Sequence, residues 1–160
     1  MGPTDVPVLL WPTVHVLMVS IARLGLSAVF GGLIGYQRER VHSSAGLRTH
    51  MLVSVGAAIF VLTAVESGWP STDVSRIIQG IVSGIGFLGA GAILKMSDRA
   101  EVRGLTTAAS IWIAAAVGIA TGLGHIWLPI IGSIFAWLIL GPFAHFEKRQ
   151  LPPPKPPEAG

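Results

Sequence analysis

The stretch GIGFLGAGAILK, residues 84–95, carries a G-x-G-x-x-G spacing at Gly84, Gly86 and Gly89. Whether it is a nucleotide loop or a helix surface decides the fold. A dinucleotide fingerprint needs a strand before it, a long helix after it and an acid roughly 20 residues on. Here few residues separate Gly91 from the polar KMSDRAE, and Glu101, near the required place, lies in a basic loop. The motif also sits inside an apolar run over 74–95, long enough to span a membrane, where lipid-exposed non-helical backbone is not tolerated. The glycines are therefore read as helix-contact residues. Gly80 and Gly84 form G-x-x-x-G, and Gly86, Gly89 and Gly91 continue the small surface. Such surfaces let backbones approach where lipid supplies no hydrophobic drive for association. Gly31, Gly32 and Gly35 offer a matching surface on the first helix. Packing within the chain and a homodimer interface are both open at this point.

Composition places the 160-residue chain in a bilayer: 51% of residues are hydrophobic, 12% are charged and 20 are glycine, with a mean hydropathy of +0.67. Five apolar stretches, near 14–36, 48–66, 74–95, 105–123 and 126–145, approach the roughly 17–25 residues that cross hydrocarbon. The expected fold is all-α, a polytopic bundle of five transmembrane helices over 14–146. A short outer segment (1–13) precedes it and a proline-rich tail (147–160), read as extended, follows it. Nine of the 11 Lys and Arg (Arg38, Arg40, Arg48, Lys95, Arg99, Arg103, Lys148, Arg149 and Lys155) flank the helices on one side. The positive-inside rule then puts the N-terminus outside and the C-terminus in the cytoplasm, with Trp11, Trp69 and Trp127 at the outer interface. The N-terminus lacks a basic n-region, so no cleavable signal peptide is expected. The chain has no cysteine, which excludes disulfides and thiolate metal sites. A net charge of +3 is weak support for a nucleic-acid partner, and none is expected.

Polar residues within the helices are the candidate functional groups. Arg23 lies about 14 Å along the first helix at 1.5 Å per residue. A charge at mid-helix costs about 2.5–3.5 kcal/mol on insertion scales, which calls for a protein-facing position and a partner. Ser20, Arg23, Ser27 and Gly31 share one face, and Gln79, Ser83, Gly86 and Ala90 make a similar stripe on the third helix. The two stripes are expected to meet, with Glu66 or Asp73 reaching Arg23 from the outer end. The bland alternative is an arginine that snorkels to the headgroups. A second set, Glu39, Arg48, Thr49, His50, Ser54, Thr106, Thr107 and Ser110, gathers at the cytoplasmic ends. It is either ordinary capping and loop charge or a cluster in which hydroxyls, an imidazole and an arginine enter the helices together. No nucleophile–base pair is visible, so no enzyme activity is expected, and no cofactor. The histidines lack metal-ligand spacing, which leaves any metal site unknown. No carboxylate lies deep in a helix, which counts against a dedicated Mg²⁺ or proton channel.

Three stretches together, RLGLSAVFGGLIGYQRE (23–39), AGLRTHMLVSVGAAIF (45–60) and the run from RIIQGIVSGIGFLGAGAILK to VRGLTTAASIWIAAAVG (76–118), resemble the MgtC/SapB family of bacterial membrane proteins. The resemblance implies an inner-membrane protein associated with magnesium limitation and, in pathogens, with survival inside host cells. It further implies a regulator rather than a carrier, one relative being linked to restraint of the F-type ATP synthase through its membrane sector. Carried over by motif, the site candidates are Arg23, Gly31, Gly35, Glu39, Arg48, Gly84, Gly86, Gly89, Arg103 and Thr107. Many relatives have an acid directly before the first-loop arginine, where this chain has Gln37, with Glu39 two positions on. Longer relatives also carry a cytoplasmic ACT-like domain, so the chain resembles a short member. GLRT (46–49) and GLTT (104–107) hint at a parallel internal repeat. The functional expectation is a regulator acting by lateral helix contacts, as a homodimer or other homo-oligomer. The alternative is a transporter or channel with its site around Arg23, Gln79 and Ser83.

Overall fold

The computed structural model describes residues 13–95 and 102–143. Trp11, Arg99, Glu101 and the basic and proline-rich segment after Phe143 lie outside the described residues. The helix α1 (Val14–Arg40) opens on Thr13, whose Oγ1 accepts the Val16 N–H at 3.4 Å. It is followed by α2 (Leu47–Glu66), α3 (Ser71–Ala92), α4 (Leu105–Gly122) and α5 (Trp127–Leu138). The first four are long and apolar enough to cross a membrane. Over the described residues α5 continues through a π turn, Ile139–Phe143, which contains Pro142; the rest of the expected fifth stretch, 144–145, lies outside them. Proline has no N–H and crowds the preceding turn, so the α pattern stops there.

Two boundaries differ from the apolar runs. α1 continues about one turn past residue 36, to Arg40. α3 ends at Ala92 rather than 95, because Ile93 is extended. Leu94–Lys95 (β1) then pairs antiparallel with Val102–Arg103 (β2), in the register Leu94 with Arg103 and Lys95 with Val102. Gly104 closes this excursion with φ +98, and a Cβ there would run into the Ala92 carbonyl. The start of α4 is thereby drawn against the end of α3.

α4 is the hub, packed on α1, α2, α3 and α5. Its sequence explains this: alanines and glycines recur on every side, so neighbours approach all round, and Ala114, Ala115, Val117 and Gly118 are buried. One apolar cluster (Ala57, Ile85, Ile111 and Ala115) joins α2, α3 and α4, and a second (Phe30, Ile34, Val117 and Ala136) joins α1, α4 and α5. The contacts fix the helix directions. Gly31 faces His50 and Gly35 faces Leu47, so α1 and α2 are antiparallel; Gly118 faces Ser54 and Gly122 faces Ala58, so α2 and α4 are parallel.

α2 meets both neighbours backbone to backbone. A Cβ on Gly31 would lie 2.6 Å from the His50 oxygen, and one on Gly35 would lie 2.8 Å from the Leu47 Cα. On the other side, a Cβ on Gly122 would lie 2.9 Å from the Ala58 oxygen, and one on Gly118 would overlap the Ser54 carbonyl. This corrects the expected glycine pairing. The surface at Gly31 and Gly35 receives α2, not α3, because the six-residue link 41–46 keeps α2 beside α1 and sequential elements usually pack together. Gly118 and Gly122, a G-x-x-x-G not singled out in the sequence, supply the opposite wall. Of the third-helix glycines only Gly89 is packed, with its absent Cβ 3.5 Å from the Ala108 Cβ. Gly80, Gly84, Gly86 and Gly91 have nothing within 4 Å of the same point.

Opposite responses to one substitution follow. Gly118→Ala forces α2 and α4 apart and lowers the unfolding midpoint in detergent, at a cost on the order of 1–3 kcal/mol for overpacking. Gly84→Ala meets no neighbour, gains helix propensity of up to about 1 kcal/mol, and leaves the midpoint equal or higher. Equal losses at the two positions would contradict the packing described.

Candidate functional site

The short links bring the polar residues at the 41–46 end into one cluster. Arg38 shares the inward spacing of Ser27, Gly31 and Gly35 on α1. Its Nη2 donates to Ser43 Oγ at 3.2 Å and to Thr107 Oγ1 at 3.1 Å, and those two hydroxyls are themselves 2.8 Å apart. Arg38 thus ties α1, the α1–α2 link and the first turn of α4 together, while its buried Nε has no partner. Next to it, Glu39 accepts the Leu47 N–H at 2.8 Å. That N–H belongs to the unsatisfied first turn of α2, and Gly46 at its cap has no side chain to offer. Glu39 performs the capping instead. His50, fully buried, has Nδ1 2.8 Å from the Gly46 oxygen and Nε2 2.9 Å from Ser110 Oγ. Ser110 in turn donates to the Thr107 carbonyl at 2.8 Å. Gly46 and Gly104, the glycines of GLRT and GLTT, occupy matching N-cap positions of α2 and α4.

At mid-depth the buried Ser27 and Ser54 hydroxyls pair at 2.9 Å across α1 and α2. Towards the other end, Ser20 Oγ lies within hydrogen-bond reach of both the Val16 carbonyl and a Glu66 carboxylate oxygen, its one hydrogen serving either. Arg23 Nη1 donates to the Gly122 carbonyl at 3.2 Å. Gly122 ends α4, where carbonyls lack helical partners and the helix dipole favours a cation. Arg23 is therefore answered by a helix terminus, which corrects two expectations. Glu66 takes Ser20 rather than Arg23, and the arginine stripe faces α2 and α4. Gln79 and Ser83 do not meet it; both lie on the exposed side of α3, which leans on α4 and α2 instead.

The remaining candidates divide plainly. Thr107, His50 and Glu39 belong to the polar cluster. Arg48 and Arg103 are exposed at the same end. Arg38 and Ser43 were not among the sequence candidates, although the 27-31-35-38 spacing places Arg38 on the packed face. Gln37, the departure noted above, donates from Nε2 to the Trp137 carbonyl at 3.0 Å. In a π turn that carbonyl, five residues before Pro142, would look to residue 142 for its donor, and proline has none. A Cβ on Gly141 would collide with the Gln37 amide, so glycine there makes room for it. Among the described residues no three His, Asp or Glu lie close enough to hold a metal ion. Finally, α2 and α3 diverge around an apolar groove of about 660 Å³, walled by Leu52, Gly56 and Phe60 on one side and Ile77, Gly80 and Gly84 on the other.

Four helices long and apolar enough to cross a membrane, with polar groups tied between them, define a multi-pass membrane protein. The chain belongs to the MgtC family, whose model matches residues 24–149. SrpB of Synechococcus elongatus is 42% identical over 137 residues, covering 79% of this chain and 75% of that protein. YhiD of Escherichia coli K12, provisionally named a magnesium transporter, is 40% identical over 137 residues, covering 81% of this chain and 62% of its own length. MgtC of Brucella abortus is 48% identical over 108 residues, which are 67% of this chain and 44% of that protein. The match thus spans less than two thirds of the latter two relatives. No solved structure matches the chain.

Thr107→Val tests the cluster. It keeps the shape of the side chain but removes the hydroxyl that holds Arg38 and Ser43, a loss of about 1–3 kcal/mol when a buried partner is stranded. Thermal unfolding in detergent is expected to shift by that amount for Thr107→Val, and by little for Thr106→Val at the exposed neighbouring position.

Proposed function

We propose that the chain is a regulatory inner-membrane protein linked to magnesium homeostasis and adaptation to low magnesium, acting by lateral helix contacts on a membrane partner. The magnesium link is supported by family membership and by the name given to YhiD. The candidate partners are a second copy of the chain and, as the family resemblance implies, the membrane sector of the F-type ATP synthase. One observation carries the lateral mode. Gln79, Ser83, Gly86 and Ala90 form an exposed stripe on α3, flanked by the open Gly80 and Gly84. A carboxamide in hydrocarbon seeks a partner, and such groups bond across helices with about 1–2 kcal/mol in model peptides. Small residues beside it let a second backbone come close.

The transport alternative used Arg23, Gln79 and Ser83 as one site. Within a single chain these groups are not assembled: Arg23 is bonded to α4 and the other two face outward. The regulator reading therefore has the better support.

The absence of native cysteine makes the test clean. Ser83→Cys on α3 and Leu33→Cys on the exposed side of α1 are compared by crosslinking in bacterial membranes, alongside Mg²⁺ flux in proteoliposomes. Crosslinked product from Ser83→Cys but not from Leu33→Cys, with no flux above empty liposomes, is the expected result. Flux that disappears in Arg23→Ala would overturn it in favour of transport.

A further inference from the structure

The apolar furrow between α2 and α3 owes its depth to glycine. Gly56 on one wall and Gly80 and Gly84 on the other have nothing within 4 Å of where a Cβ would stand, and the space between them amounts to about 660 Å³. From Ile77 to Leu88 the α3 wall rises about 16 Å at about 1.5 Å per residue. That is about half of the roughly 30 Å hydrocarbon core, the reach of one leaflet. Past Leu88 the furrow meets a smaller space of about 350 Å³, where Ser44 and Thr49 join the lining. At its other end Ile77 is shared with an open hollow of about 460 Å³, lined also by Trp69, Pro70, Asp73 and Arg76. Asp73, Ile77, Gly80 and Gly84 follow a 4-3-4 spacing, so the acid stands on the furrow's own face of α3.

We propose that the furrow binds one aminophospholipid of the leaflet at the α2–α3 link, with an acyl chain laid between α2 and α3, the phosphate on Arg76 and the primary ammonium on Asp73. The mouth selects the headgroup. Arg76 Nη1 and Asp73 Oδ1 are 3.8 Å apart, too far for a hydrogen bond, and both side chains are exposed. An exposed pair of this kind contributes little. The guanidinium thus keeps donors for a phosphate oxygen, a bond that charge strengthens, and the carboxylate keeps acceptors for an N–H. A zwitterion with phosphate and ammonium on a two-carbon tether answers both at once. An anionic headgroup would answer Arg76 but bring its uncompensated charge against Asp73, and a quaternary ammonium has no hydrogen to donate. Trp69, half exposed beside them, supplies an amphipathic ring of the kind that sits at headgroup depth.

A helix is the poorer occupant of this space. α2 and α3 still touch, so the furrow does not open to the roughly 10–12 Å that a helix with its side chains fills, whereas a hydrocarbon chain is far thinner. Nor does the lipid compete with the lateral contact proposed above. Gln79, Ser83, Gly86 and Ala90 take no part in the furrow's lining. At 3.6 residues per turn they lie on the far side of α3 from Ile77 and Leu88, open to a neighbouring helix while the furrow is filled. The inference stands independently of the magnesium reading.

The full chain in nanodiscs holding equal parts of phosphatidylethanolamine, phosphatidylcholine and phosphatidylglycerol provides the test, with native mass spectrometry reading the lipids that stay on the released protein. The expected result is one phosphatidylethanolamine per chain, enriched several-fold over the other two. Arg76→Gln should lower the total phospholipid retained several-fold. Asp73→Asn should keep a phospholipid but lose the preference for the amine headgroup. Gly84→Leu, which fills the furrow from a position with open space around it, should abolish retention while helical content by circular dichroism is unchanged. A wild-type chain that carries no lipid, holds all three alike or favours phosphatidylglycerol overturns the proposal. So does lipid that survives in Gly84→Leu, since it would then lie elsewhere.

Discussion

The structure depends on one constraint. Helices in lipid gain nothing from hiding apolar surface, so they hold together by close packing and interhelical hydrogen bonds, both of which small residues permit. α2 satisfies this on two sides at once, against Gly31 and Gly35 of α1 and against Gly118 and Gly122 of α4. The polar bonds follow from that approach. Ser27 and Ser54 pair at 2.9 Å, and His50 meets Ser110 at 2.9 Å, because no side chains hold the helices apart. Arg38 and Arg23 then tie the two ends of the same three-helix core, one to hydroxyls at the start of α4 and the other to the carbonyl that ends it.

α3 stands outside this arrangement. It is held through Gly89 against Ala108, through Ile85, and through the close approach of Gly104 to Ala92. Most of its glycines are left open and its polar stripe is exposed. The chain therefore has a saturated side and an unsaturated one. Whatever the protein does laterally is far easier to do through α3 than through the core.

The helical fold and the approximate helix limits were legible from apolar run length, and the gathering of Arg38, Arg40, Arg48 and Arg103 at one end from their spacing around those runs. The glycines of 84–91 were correctly read as part of a helix rather than a nucleotide loop, but which glycines make helix contacts, and with what, was not legible. Gly80–Gly84 and Gly118–Gly122 look alike as strings, and which of them is packed depends on which helix the links bring alongside. Glu39, His50 and Thr107 stood out because polar residues at helix starts are conspicuous. Arg38 did not, since it sits in a run with Arg40 and reads as one more loop charge until the inward spacing from Ser27 is followed. The Gly122 carbonyl, Arg23's partner, carries no signal in any sequence, because every residue has a carbonyl and only the end of a helix leaves one available.

The bond from Gln37 to Trp137 has a consequence of its own. It runs in one direction, from an amide nitrogen to a carbonyl that the proline cannot serve. A carboxylate of the same length would bring oxygen to oxygen and carry no hydrogen at neutral pH. The last turn of α5 is thus moored to α1 by an uncharged group, one residue along α1 from the arginine that ties the polar cluster together.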